Sequence, residues 1–296
     1  MEIGDKIKKL RTDKLMSQGE LAGGEITRNM LSCIEHGSAL PSLGTLRYIA
    51  SRLNVSPGFL LAEGSDEEMY LKNSRINDIK KAYTAKNFEL CYDMCKKCAW
   101  NDDEITMILA ECSLMVGIER FNGGELRRAA DYFDEAVECC NRTIYNTDVI
   151  YSRAQAYFRY MEMVSPTIQA NALDYCEPNR LLLFGDGFSV YSDIMYDASV
   201  RSWFEMPFLL ERIDRLEAGS VYALHVSAKI MMEKGKYAEA YDVLHKLLFT
   251  DSYKIAEPIM YFVFCDLEIC CKETEDFKGA YEYSNSKVAL MQKMLG

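Results

Sequence analysis

Only three histidines occur in the 296 residues, His36, His225 and His245, and none stands in a Ser–His or Cys–His arrangement. The chain also lacks the G-x-G-x-x-G spacing of a phosphate-cradling loop. Phe184-Gly185-Asp186-Gly187-Phe188 has glycines without that spacing and reads as an exposed loop in a long connector over 165–218. No catalytic constellation is visible, so no enzyme and no cofactor are expected. No run approaches the roughly 20 apolar residues that span a bilayer. The N-terminus, MEIGDKIKKLRTDK, has no apolar h-region of a signal peptide. The expectation is a cytoplasmic chain with no membrane attachment.

Positive charge is scarce as well. The chain has 34 Lys and Arg against 45 Asp and Glu, a net charge of −11. Residues 1–65 hold eight bases and seven acids, so this segment is near neutral at +1 and the remainder carries −12. So acidic a remainder excludes a non-specific polyanion clamp and would repel backbone phosphates. Eleven cysteines, several adjacent or at helical spacing, do not form the pattern of a small disulfide-stapled domain and suit a reducing compartment.

What is present is helical patterning. In SQGELAGGEITRNMLSCIEHGSALPS, residues 17–42, Ser17 and Thr27 stand at N-cap positions and Gly37 at a stop. Leu31 and Ile34 share one face of the second short helix, which leaves Arg28, Asn29, Ser32 and Cys33 pointing outward. Two short helices around a turn containing Gly23-Gly24, the second with a polar outer face, describe a helix-turn-helix. Before them, Ile3, Ile7 and Leu10 form the inner face of a first helix, with Lys6 and Lys9 outside. After them, Ser42 opens a fourth helix with Leu46, Ile49, Ala50 and Leu53 on one stripe, and Ser56-Pro57 opens a last short one ending near Leu61.

These residues carry a resemblance. Ile7, Leu10, Arg11, Ser17-Gln18, Glu20-Leu21-Ala22, Leu31, Ile34-Glu35, Gly37, Leu40-Pro41-Ser42, Thr45-Leu46 and Leu53-Asn54-Val55 resemble the lambda-repressor/Cro-like family of DNA-binding domains. The turn from Leu21 to Thr27 is one residue shorter than the family's usual pattern, which implies a shifted angle in the groove. The resemblance implies a partly buried Arg11–Glu35 salt bridge. It also implies DNA contacts from Gln18, Thr27, Arg28, Asn29, Met30, Ser32, Cys33, Ser42 and Thr45, the last two at a helix start that offers a phosphate site.

The polar stretch 62–68 reads as the boundary between domains at 1–65 and 70–296. Beyond it one pattern recurs, at Lys86-Asn87-Phe88, Gly124-Glu125-Leu126, Gly235-Lys236-Tyr237 and Glu275-Asp276-Phe277, each followed three residues on by a small residue and then an aromatic or Ala. The anchors Phe88, Leu126, Tyr237 and Phe277 are 38, 111 and 40 residues apart, and the long gap has room for two degenerate repeats. This resembles tetratricopeptide repeats with lengthened helices. The expected fold is therefore all-α: a five-helix helix-turn-helix domain followed by a tetratricopeptide-like right-handed α-solenoid. Cys91, Cys95 and Cys98 have the spacing of an iron–sulfur site, but on a helix they share one face, so core packing is expected and no metal. Cys139-Cys140 and Cys270-Cys271 read as buried helix positions, with redox sensing the alternative.

The combined architecture resembles the peptide-pheromone-responsive regulators. That resemblance implies a dimeric, sequence-specific transcription regulator bound to a near-palindromic double-stranded operator, with repeats that dimerise and receive a short peptide. On an assumed concave face the candidate contacts are Tyr151, Arg153, Tyr157, Arg159 and Tyr222. The competing expectation is an interaction adaptor whose repeats bind a partner protein.

Overall fold

The structure, a computed structural model, describes residues 2–98, 102–168, 186–200, 209–249 and 254–295. Every regular element among the described residues is an α-helix. The chain divides into two compact units. One runs through Lys86 and takes in Lys97 and Cys98; the other holds Asn87–Lys96 and the helices from Asp103 onward.

The first unit contains α1 (Ile3–Asp13), α2 (Gln18–Ala22), α3 (Arg28–Glu35), α4 (Leu43–Leu53), α5 (Pro57–Leu61) and α6 (Ser65–Thr84). Its short helices start at side-chain caps. Ser17, Thr27, Ser42 and Ser56 each accept a backbone N–H three residues on, and Ser17 with Glu20 completes a capping box. Ile7, Leu21, Leu31, Ile34, Leu46, Ile49, Leu53 and Leu60 meet in one core, each fully buried side chain contributing about 1.5–3 kcal/mol. Helix α1 comes so close to α3 that a Cβ on Gly4 would lie 2.3 Å from the Ile34 carbonyl oxygen. Lys6 departs from the expected outer position: it is 2% exposed, and its ammonium donates to the carbonyls of Phe59 and Ala62. The end of α5 needs a donor for its free carbonyls, and Lys6 is the side chain that reaches them. Helix α6 starts at Ser65, inside the stretch that composition marks as a linker.

The second unit contains α7 (Phe88–Lys96), α8 (Asp103–Asn122), α9 (Leu126–Cys140), α10 (Asp148–Val164), α11 (Gly187–Val200), α12 (Leu209–Asp214), α13 (Val221–Glu233), α14 (Tyr237–Phe249), α15 (Glu257–Glu273) and α16 (Phe277–Leu295). Consecutive helices pack as pairs, α8 on α9, α13 on α14 and α15 on α16. The four repeat anchors, Phe88, Leu126, Tyr237 and Phe277, are each the first residue of a helix. Two residues before each stands a residue with positive φ: Lys86, Gly124, Gly235 and Glu275. The recurring motif is thus a turn of fixed backbone geometry. Within the stretch 165–218, expected to be a plain connector, the described residues hold two helices, α11 and α12. Of the expected exposed loop, the described part is different: the Asp186 carboxylate accepts the Ser189 N–H at 2.9 Å at the start of α11, Gly187 is the first residue of that helix, and Phe188 is buried against Tyr157. Phe184 and Gly185 lie outside the described residues. No helix among the described residues is long and apolar enough to cross a membrane.

Candidate nucleic-acid interface and ligand face

Thr27 Oγ1 accepts the Met30 N–H at 3.1 Å and fixes the start of α3. Leu31 and Ile34 then point into the core, as does Glu35. The opposite side presents Thr27, Arg28, Asn29, Met30 and Cys33 to solvent, with Ser32 half-buried. At the head of α4, Ser42 is exposed and Thr45 half-buried, and the Ser42 hydroxyl accepts the Thr45 N–H at 3.1 Å. Gln18 is the exception among the expected contacts. Its amide donates to Glu35 Oε2 at 2.8 Å, within the ion pair that Arg11 Nε makes with Glu35 Oε1 at 2.6 Å. Burial pushes the Glu35 carboxyl up, but the hydrogen bonds from Arg11 and Gln18 more than offset it and hold the group below its ordinary value. The same contact raises Arg11.

Two positioning residues escape sequence reasoning because they act across the fold. The Tyr48 hydroxyl donates to the Ala22 carbonyl at 3.0 Å, and the Arg52 guanidinium donates to that of Glu20 at 2.5 Å. Both come from α4 and clasp the end of α2, where the turn begins. Gly23, with φ of +55°, lies so close to Tyr48 that a Cβ there would meet its hydroxyl oxygen at 2.3 Å.

In the second unit the structure separates the five expected ligand contacts. Tyr151 is half-buried. Arg153 pairs with Asp186 at 2.9 Å. Tyr157 and Arg159, expected on an open face, are buried: Tyr157 stacks on Phe188 with centroids 4.1 Å apart, and Arg159 pairs with Asp193 at 3.3 Å. The physical reason is that α8, α9, α11 and α15 all pack against α10 and leave it little free surface. Tyr222 stacks on Tyr191 at 5.0 Å and lines a cavity of about 580 Å³ together with Asn122, Ser220, Lys254 and Ile259.

The structure also brings together residues with no proximity in the sequence. The Tyr160 and Tyr191 hydroxyls are 3.0 Å apart, and Tyr191 lies 2.7 Å from His225 Nδ1. His225 Nε2 is 2.8 Å from Asp266, which also accepts Lys229 at 2.8 Å. With Nε2 carrying the proton toward Asp266, Nδ1 accepts from Tyr191. Burial pushes Asp266 up, yet the hydrogen bonds from His225 and Lys229 hold it below the usual value. A tyrosine–imidazole–carboxylate chain can move a proton; here Tyr160, Tyr191 and His225 are 0% exposed. The chain is a polar spine through α10, α11, α13 and α15.

Residues 7–60 fit the helix-turn-helix family model. That segment is a helix-turn-helix domain. A comparison with curated protein sequences gives no match. Among solved structures, a point mutant of PrgX is 14% identical, covering 97% of this chain and 100% of that one, with a TM-score of 0.32. Bacillus thuringiensis PlcR, solved in complex with the peptide PapR7 and DNA, is 12% identical over 98% and 95% of the two chains, TM-score 0.26. Apo ComR from S. thermophilus is 19% identical over 97% and 98%, TM-score 0.22.

Proposed function

We propose that this chain is a sequence-specific transcription regulator that binds a near-palindromic operator as a homodimer. Residues 1–65 form its reading head, and the repeats within 70–296 dimerise and receive a short peptide. The observation that carries the DNA reading is the outward row Arg28, Asn29 and Cys33 on a helix seated by buried Leu31 and Ile34, inside a helix-turn-helix domain. Arg suits a guanine edge and Asn an adenine edge in the major groove. A head of net charge +1 gains little from phosphate contacts, so two heads on one operator are needed for useful affinity.

Support for the dimer comes from α16, which turns Phe277, Tyr281 and Val288 to solvent at 71%, 69% and 50% exposure, an apolar stripe that a second copy would cover. The peptide reading rests on the −12 balance outside the head, which attracts cationic segments, and on the cavity beside Tyr222. The test is selection of bound sequences from random duplexes with the full chain, repeated with a library of short peptides. Enrichment of one two-fold site supports a regulator. No enrichment, with capture of a partner protein through the repeats, supports an adaptor. Peptides that shift neither operator affinity nor melting temperature leave the repeats a fixed dimerisation scaffold.

A further inference from the structure

We infer that the first unit carries a binding site for a small aromatic carboxylate, in the seam where α6 lies against the rest of the head. A cavity of about 640 Å³ opens there between α1, the turn from α4 to α5, α5 and α6, a volume suited to a small organic ligand. Its lining belongs to one compact unit. One side of the cavity is apolar and fixed. Leu10, Val55 and Phe59 are partly buried and pack on the core of the head. The Lys6 ammonium stands 5.5 Å from the centre of the Phe59 ring and holds it from one face. Tyr70 comes from α6 and rests on Gly58, where a Cβ would meet its hydroxyl oxygen at 2.1 Å and its Cζ at 2.6 Å. Glycine is unfavourable within a helix, and at 58 it makes room for that ring. Both rings are therefore set before a ligand arrives.

The rest of the lining is polar and carries charge of one sign. Arg75 is exposed and has no acidic partner among the described residues, and the Asn54 and Asn73 amides have no hydrogen-bond partner among them. The Ser56 hydroxyl accepts the Phe59 N–H and keeps its own hydrogen to donate. No carboxylate is among the lining residues. One guanidinium balances one negative charge, and its parallel N–H donors match the two oxygens of a carboxylate. A phosphate dianion would keep half its charge unbalanced. A planar ring fills the space beside Phe59 and Tyr70, and the two amides bond polar atoms on its edge. Ser42 and Asn54 flank opposite ends of α4, 11 residues and about 16 Å long, so the ligand and the phosphate site expected at Ser42 occupy different ends of the helix. The site is independent of the peptide reading, and a ligand there stabilises the unit it binds.

The experiment titrates the full chain by calorimetry with indole-3-acetate, with its neutral counterpart indole-3-acetamide and with phenyl phosphate. The expected result is a dissociation constant below about 1 mM for the carboxylate, with the amide at least about tenfold weaker. Saturating carboxylate should also raise the melting midpoint. Arg75→Ala, at an exposed position on α6, should weaken the carboxylate about tenfold and leave the helical content unchanged. Tyr70→Ala should weaken the carboxylate and the amide alike, because it removes ring contact and no charge. Asn73→Asp, which adds a negative charge at a second exposed lining position, repeats the Arg75 arm if Arg75→Ala melts early. No binding up to roughly 10 mM, equal binding of the amide, or binding untouched by Arg75→Ala and Asn73→Asp overturns the proposal. Tighter binding of phenyl phosphate than of the carboxylate overturns the ligand class.

Discussion

Gln18 donates its side-chain amide to Glu35 at 2.8 Å, sharing a carboxylate that Arg11 already holds through two of its nitrogens. The start of α2, the end of α3 and the end of α1 are thus tied at one buried acid, and the angle of the reading helix depends on it. Glu35→Ala should lower the stability of the helix-turn-helix unit by about 2 kcal/mol, since it strands a charge-assisted network. Urea denaturation of the full chain, followed by a probe in this unit, measures the loss; an unchanged midpoint would remove Glu35 from its positioning role.

The same group sets a pH dependence. Glu35 has a depressed pKa in the fold, so its stabilisation is complete above the free glutamate value of about 4.3 and is lost as pH falls through the lower folded value. Denaturation midpoints should be flat from neutrality to about pH 5 and decline below pH 4 by this term. Glu35→Gln should flatten that part of the curve.

Arg28→Ala should weaken operator binding by about 1–3 kcal/mol and relax preference at one position in each half-site. Titrations against the selected operator and a scrambled duplex distinguish the roles. Equal losses on both would make Arg28 a phosphate contact.

Phe277→Asp with Tyr281→Asp, placed on the exposed face of α16, should shift the full chain toward monomer in sedimentation and cut operator affinity while leaving the fold intact. A double variant that stays dimeric moves the dimer contact elsewhere.

Asp266→Ala should cost the second unit about 3 kcal/mol, because His225 loses its acceptor and Lys229 its counter-ion in the interior. Thermal melts resolve this from any effect on the first unit.

Sequence and structure agree where the signal is local. Thr27, Ser42 and Ser56 announce their helices because a cap needs only the next three residues, and Leu31 with Ile34 announces a buried face for the same reason. The repeat anchors at Phe88, Leu126, Tyr237 and Phe277 are legible because a turn repeats its own short pattern. The polar spine is not. Tyr160, Tyr191, His225 and Asp266 lie 31, 34 and 41 residues apart, and nothing near any one of them names the next. Lys6 misleads for a related reason, since its partner carbonyls at Phe59 and Ala62 are more than fifty residues away. Tyr157 and Arg159 show the limit of reading one helix alone: α10 has several apolar faces' worth of neighbours, and its aromatic residues pack inward.

The turns before the four anchors have one further consequence, for how freely the chain can drift. Their shared positive φ is a demand on the backbone, met by glycine at 124 and 235 and by Lys86 and Glu275 at the other two. Left-handed geometry costs a residue with a side chain roughly 1 kcal/mol that glycine does not spend. Exchange therefore depends on the surroundings: Lys86 or Glu275 can become glycine with little harm, Gly235 faces open space and a side chain there bears only the cost that Lys86 and Glu275 already carry, and replacing Gly124 also drives a Cβ onto Glu257. Of the four turns only the one at Gly124 is closed to mutation by its neighbours, although all four look alike as backbone.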